Sequence, residues 1–238
     1  IKEELDSSGI EPDYLEIVQN GVQRIINIPM GGPLKQLRLR EVKSHQRLHE
    51  IGFDIPLSHK GKEITAYNLS RIFRKDPDYR FGESYVKQIS DLNFSSKGFL
   101  TGAIDLIFAD KPNHLNARWW VVDWKSNWIG KQSGEDVISC GPSNYDEKTM
   151  EKQMLTHNYA LQAHLYLVAM HRLLKWRLPN YLPEKHLGGY IYFFLRGIPT
   201  EEEIKKQSSR SSIPGLFIEK APINRVLALN DLFTKGDP

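Results

Sequence analysis

Apolar and polar positions alternate along this chain with two different periods, and the change of period marks its elements. Between Ile1 and Ile28 the apolar residues Leu5, Tyr14, Leu15, Ile17, Val18, Val22, Ile25 and Ile26 recur at roughly helical steps. The Gly9–Asp13 segment breaks that helix in two, and Pro29 to Pro33 ends it. RLHEIGFDIPL, Arg47 to Leu57, predicts a strand ending at Pro56. Residues 60–94 mix short helical patterns. Gly98 to Phe108 and Arg118 to Ser126 are rich in apolar, β-branched and aromatic residues, with polar KPNHLN between them, and predict a hairpin. Lys131 to Thr149, rich in Gly, Ser, Pro and Asp, predicts a loop beside a substrate mouth. Met150 to Trp176 predicts one long helix, HLGGYIYFFLRGI a short strand closing the sheet, Glu201 to Pro214 a mobile loop, and Asn224 to Phe233 a short final helix.

The hairpin carries the candidate chemistry. If its strands pair about His114, Asp105 and Asp123 each lie nine positions from the centre and face one another, with Cβ atoms about 5 Å apart. A slip of one residue would send them to opposite faces. The two-residue period turns Asp123 and Lys125 to one face and Val122 and Trp124 to the other. Carboxylates amid apolar sequence need a partner or a metal. One account is a structural ion pair between Lys125 and one aspartate, the other being exposed. The other is a site for a hard cation, for which carboxylates, a backbone carbonyl and water are the preferred donors.

The residues around these acids sharpen the choice. GAIDLIF followed by VVDWKSNWIG resembles the nuclease motif of the RecB family, a branch of the PD-(D/E)XK nucleases. That motif pairs a G-x-x-D strand with a D-x-K strand continuing as D-Y-K-S-N-W-L-G; here Trp124 replaces the tyrosine and Ile129 the leucine. NYALQAHLYLVAMHRLLKWRLPNY resembles the family's Q-x-x-x-Y helix, and HLGGYIYFFLRGI its G-G-x-x-Y-x-F-L-R-G strand. The resemblance is close from about Glu50 onward and weak before it.

The resemblance implies an α/β fold with a restriction-endonuclease-like core, a central mixed β-sheet flanked by helices. Residues 1–40 would form an N-terminal helical flank and 41–238 the nuclease domain. It implies metal-dependent hydrolysis of DNA phosphodiesters, with Asp105, Asp123 and the Trp124 backbone carbonyl binding Mg²⁺. Mn²⁺ would substitute and Ca²⁺ inhibit. Lys125 would position the attacking water or offset charge on the phosphate. Gln162 and Tyr166, one helical turn apart, are by themselves a satisfied core pair; the resemblance turns them toward the metal site, where they orient the lysine, the water or the phosphate. Glu50 matches an acid on the preceding strand and is assigned a supporting part. The implied partners are single strands from a DNA duplex end, other helicase–nuclease subunits and a strand-exchange recombinase, in double-strand-break repair and DNA degradation.

Composition agrees without naming an enzyme. The chain has 238 residues, net charge +3 and a pI of about 8.8, which permits nucleic-acid binding without demanding it. Cys140 is the only cysteine, so no disulfide framework or cysteine metal cluster forms within the chain. No apolar run reaches transmembrane length and IKEELDSSG is no signal peptide, which points to a cytoplasmic protein with no membrane partner. No G-x-x-x-x-G-K-[ST] occurs, so there is no ATP site of the P-loop kind. The start without Met reads as an excerpt from a longer protein. RecB-type nucleases also take a histidine ligand from an upstream G-x-x-x-H-x-x-[LF]-E helix; no stretch here matches it, and weaker metal binding and activity are expected of this chain alone.

Other features stay with ordinary surface readings. LRLREVKSHQ is a solvated basic edge or a phosphate-contacting strip. Arg71, Arg74, Lys75 and Arg80, interleaved with Phe73, Tyr79 and Phe81, make a helix surface or a grip on a single strand. His45 and His49, four apart on a strand, point one way without converging. Arg196 is structural or a DNA contact. Two other readings stand beside the nuclease: a catalytically silent DNA-binding or subunit-docking module on the same fold, and a stand-alone PD-(D/E)XK nuclease of another branch.

Overall fold

A computed structural model describes residues 1–57, 63–76, 81–93, 95–133, 136–206 and 212–235. The fold is α/β, with a five-stranded mixed sheet flanked by helices. Helices α1 (Lys2–Ser7) and α2 (Leu15–Asn27) come first, then strand β1 (Arg47–Pro56). The short β2 (Ile64–Thr65) and β3 (Ser95–Ser96) pair around α3 (Ala66–Lys75) and α4 (Gly82–Ser90). Strands β4 (Phe99–Ala109) and β5 (Trp119–Lys125) form the hairpin, and β6 (Lys131–Ser133) and β7 (Asp136–Ser139) a small second one. Then come α5 (Glu147–Thr156), α6 (Tyr159–Arg177), α7 (Pro183–His186), β8 (Leu187–Phe194), α8 (Glu201–Lys206), β9 (Leu216–Lys220) and α9 (Ile223–Lys235). The large sheet runs β1-β4-β5-β8-β9. Among the described residues no helix is long and apolar enough to cross a membrane.

The chain divides into two compact units. One comprises Ile1–Lys43, Trp124–Met150 and Tyr192–Phe217, the other Ser44–Asp123, Glu151–Ile191 and Ile218–Pro238. In the first, Tyr145 is buried against Phe194, and its hydroxyl donates to the carbonyl of Asn127 at 2.7 Å. In the second, α3 packs on α4 and α9, and α6 on α9.

A buried polar network ties three helices of the second unit together. Arg225 of α9 is 4 % exposed, pairs with Asp76 at 3.0 Å and donates to His164 Nε2 on α6 at 3.0 Å. The other ring nitrogen of His164, Nδ1, donates to the Ala160 carbonyl at 2.6 Å. The Arg225 guanidinium also lies 5.0 Å from the centroid of the Phe73 ring on α3. Burial first, then the Arg225 charge, pushes His164 from its ordinary 6.5 down to about 3, so the ring stays neutral.

Several expectations need correction. The expected helix over 150–176 is two helices, because Asn158 adopts a left-handed φ of 55°, a conformation asparagine tolerates better than most residues. The Gln88 side chain, donating to Leu155 O at 2.8 Å and Asn158 Oδ1 at 3.1 Å, fixes the break. Strand β8 does not close the sheet; β9 lies outside it. The expected loop over 131–149 contains β6, β7 and the start of α5. The loop read from Glu201 to Pro214 opens instead with α8, capped where Thr200 Oγ1 accepts from Glu203 N–H at 3.3 Å and Glu203 Oε2 accepts from Thr200 N–H at 2.7 Å; residues 207–211 lie outside the described residues.

Gly189 of β8 lies close against the backbone of β9. A Cβ there would overlap the Glu219 carbonyl oxygen and come 2.8 Å from the Trp120 ring. Backbone cannot yield as a flexible side chain can, so Gly189→Ala is expected to cost about 3 kcal/mol or more. Chemical denaturation of the two proteins, followed by circular dichroism, measures that loss.

Candidate active site

Both aspartates owe their place to the hairpin. On β4, Ile104, Leu106, Ile107 and Phe108 are buried, and on β5 every residue from Trp119 to Asp123 is. Four antiparallel pairs, Leu106↔Val122, Ile107↔Val121, Phe108↔Trp120 and Ala109↔Trp119, set the register. Continued by one residue, it brings Asp105 opposite Asp123, as pairing about His114 requires. Asp105 is half-buried and Asp123 only 3 % exposed.

Helix α6 delivers the next groups. Gln162 Nε2 donates to the Tyr166 hydroxyl oxygen at 2.9 Å, and the Tyr166 hydroxyl in turn hydrogen-bonds Asp123. Burial is the main cause that pushes the Tyr166 phenol up to about 12, with the charges of Asp123 and Asp105 next. It therefore remains a protonated donor at neutral pH. Gln162, Tyr166 and Asp123 thus form one hydrogen-bonded group, and the Asp105 charge bears on the same Tyr166 hydroxyl.

That group has a support the sequence reading missed. The Phe53 ring on β1 meets Tyr166 edge-on, with centroids 5.9 Å apart, and has room because position 102 is glycine, where a Cβ would come 2.7 Å from it. A glycine inside an apolar strand was the available signal. Glu50 stands between the β1–β4 pairs His49↔Leu106 and Ile51↔Ile104, and so across from Asp105. It is exposed, with a φ of 48° that interrupts the extended run.

Trp124 and Lys125 follow on β5 and belong to the other unit. There the Trp124 ring lies 5.0 Å from Phe193, and Lys125 Nζ lies 5.4 Å from the centroid of Tyr192. Both are half-buried.

The remaining candidates do not join this group. His45 sits in a 3₁₀ turn, Ser44–Gln46, rather than on the strand; it and His49 are exposed. Arg196 Nε donates to the Ser126 carbonyl at 3.0 Å. Arg74 pairs with Glu83 at 3.0 Å, and Arg71 lies over Tyr67, an ordinary helix surface. Tyr79 and Arg80 lie outside the described residues. In the basic run, Arg40 donates to Asn27 Oδ1 at 2.6 Å and Arg38 pairs with Glu201 at 3.5 Å.

Among the described residues no three His, Cys, Asp or Glu side chains gather to hold a metal ion. Two facing carboxylates are nevertheless a donor set that suits Mg²⁺, which binds through one or two carboxylates and keeps several waters.

A five-stranded mixed sheet between helices, with two aspartates meeting across a central hairpin, is the layout of a restriction-endonuclease-like domain. No protein-family model matches the chain. It is 30 % identical over 219 residues to the RecBCD enzyme subunit RecB of Mycolicibacterium smegmatis, covering 88 % of this chain and 19 % of that protein. It is 29 % identical over 202 residues to RecB of Escherichia coli K12, covering 84 % and 15 %. With RecB of Buchnera aphidicola subsp. Baizongia pistaciae the identity is 31 % over 190 residues, covering 77 % and 14 %. The chain belongs to the RecB-type nuclease domains. It spans less than a fifth of the length of these relatives.

Proposed function

We propose that this domain hydrolyses DNA phosphodiesters with the help of a divalent metal ion, Mg²⁺ by preference. The observation that carries the reading is the β4–β5 register, which continued by one residue sets Asp105 opposite Asp123, together with the Gln162–Tyr166 pair bonded to Asp123. Asp105, Asp123 and the Trp124 backbone carbonyl would hold the ion, all three being hard oxygen donors. When bound, such an ion lowers the pKa of a water and offsets phosphate charge.

The chain's own groups do the rest. Tyr166, kept protonated, donates to Asp123 and fixes which carboxylate lone pairs face outward. Gln162 holds that hydroxyl in turn. Lys125 shares β5 with Asp123 at the two-residue spacing, and its ammonium steadies the charge developing on the phosphate or orients the attacking water. Glu50 supports the site from β1. The substrate is single-stranded DNA delivered from a duplex end, and the partners are the other subunits of a helicase–nuclease and a strand-exchange recombinase.

The test is Mg²⁺-dependent degradation of end-labelled linear single-stranded DNA, by this chain and by a version extended upstream. Lys125→Ala is expected to slow it by about 10²-fold or more. Full cleavage by Lys125→Ala overturns the assignment. No cleavage by either folded form moves the reading to a docking module.

A further inference from the structure

The hairpin has a second chemical feature at its turn, at the end away from the aspartates. A pocket of about 240 Å³ opens there, lined by Lys111, Leu115, Asn116, Arg118, Lys185 and His186. Three of these six residues are cations and none is a carboxylate. The adjacent Asp110 is engaged within the turn, its Oδ1 accepting the Arg118 backbone N–H at 2.8 Å.

The walls of this pocket are fixed rather than improvised. Arg118 Nη1 donates to the Leu187 carbonyl at 3.0 Å, which anchors the guanidinium to β8. His186 is 4 % exposed. Its Nδ1 accepts the Leu182 N–H at 2.9 Å and its Nε2 donates to the Leu115 carbonyl at 3.1 Å, joining α7 to the 3₁₀ turn His114–Asn116. Lys111 and Lys185 stand exposed on either wall. A concave site with several cations on a hydrogen-bonded frame suits an anion with more than one oxygen, to which arginine offers paired donors and lysine a point charge.

Position along the hairpin points to which anion. Asp110 lies five residues beyond Asp105, and Arg118 five residues before Asp123, so along both strands the turn is about 17 Å from the carboxylates. At the duplex spacing of about 3.4 Å per phosphate along one strand, that distance corresponds to about five nucleotides, and to fewer in an extended single strand. We propose that the Lys111–Arg118–Lys185 pocket binds a backbone phosphate of a DNA strand whose scissile bond lies at Asp105 and Asp123. The pocket would then fix the strand's path along the hairpin. This rests on the nuclease reading above.

The experiment separates the two claims. A labelled DNA single strand of about 15 nucleotides is titrated with the protein by fluorescence anisotropy, with EDTA present so that nothing is cleaved, over a range of salt. The Lys111→Ser, Lys185→Ser double variant is expected to bind about tenfold more weakly near 0.1 M salt. Its slope of log affinity against log salt should be shallower by about 0.7, the share of the one phosphate the pocket holds on a single strand. Hydrolysis of bis(p-nitrophenyl) phosphate, too small to reach the turn, should be the same with and without the two substitutions in the chain extended upstream; its absence from that extended wild type would strike the nuclease reading and leave the binding comparison to judge the pocket. Equal DNA affinity and slope in wild type and variant overturn the proposal. So does displacement of the DNA by a short polyglutamate peptide at lower concentration than by unlabelled DNA, which would make the pocket a protein-docking site.

Discussion

Asp123→Asn is expected to abolish metal-dependent cleavage, with a loss of about 10³-fold, while the protein stays folded. Asparagine keeps the shape of the side chain and can still accept from the Tyr166 hydroxyl, so the packing of β5 under α6 survives. What disappears is one of two negative charges that face each other across the hairpin. Asp123 is the more deeply buried of the two and is the one bonded to Tyr166, so its oxygens are the more rigidly aimed. Titrating Mn²⁺ against the two proteins gives a readout independent of turnover: the variant should bind the ion markedly more weakly. Unchanged cleavage by the variant would refute the role of Asp123.

Arg225→Met is expected to be the most damaging single substitution away from the hairpin. The methionine removes the guanidinium but leaves the Asp76 carboxylate buried, and it takes away the donor to His164 Nε2. Breaking a buried pair from one side costs about 3–5 kcal/mol, which lowers the melting temperature by about 10 °C in a chain of this size. Adding Asp76→Leu should restore most of the loss, because two apolar groups no longer need each other's charge. A single change costing under about 1 kcal/mol would show that the network contributes little.

The same network sets a pH dependence. His164 has a folded pKa of about 3 against an ordinary 6.5. Between those values the unfolded chain takes up a proton that the folded chain refuses. The stabilising contribution of neutral His164 is therefore complete above pH 6.5 and is lost progressively as the pH falls toward 3. Urea denaturation at a series of pH values, with His164→Gln beside the wild type, isolates this contribution.

The hairpin was legible in the sequence because its signals agree. Two apolar runs, a polar turn and equal counts from His114 fix one register, and the observed pairs follow it. The Gln162–Tyr166 pair was legible as a helical spacing, but its bond to Asp123 was not, since periodicity gives a face and not a neighbour. The break at Asn158 was hidden because the apolar pattern runs on through it, while the Gln88 side chain that fixes the break comes from a distant helix. Strand β9 was missed because its five residues, Leu216 to Lys220, are too few to establish alternation. Helix α8 did carry a signal, the Thr200–Glu203 capping pair, masked by its polar surroundings. Phe53 reached Tyr166 only through tertiary packing.

Glu50 carries one more consequence. Strand β1 is one of the two edge strands of the large sheet, and a long flat border of unpaired peptide groups invites another chain to add itself and begin an aggregate. The left-handed residue at Glu50 kinks that border midway, and Pro56 removes a donor at its end. An acid placed there serves colloidal stability whatever its part in the chemistry, so its persistence in a sequence would not by itself identify it as a participant in the reaction.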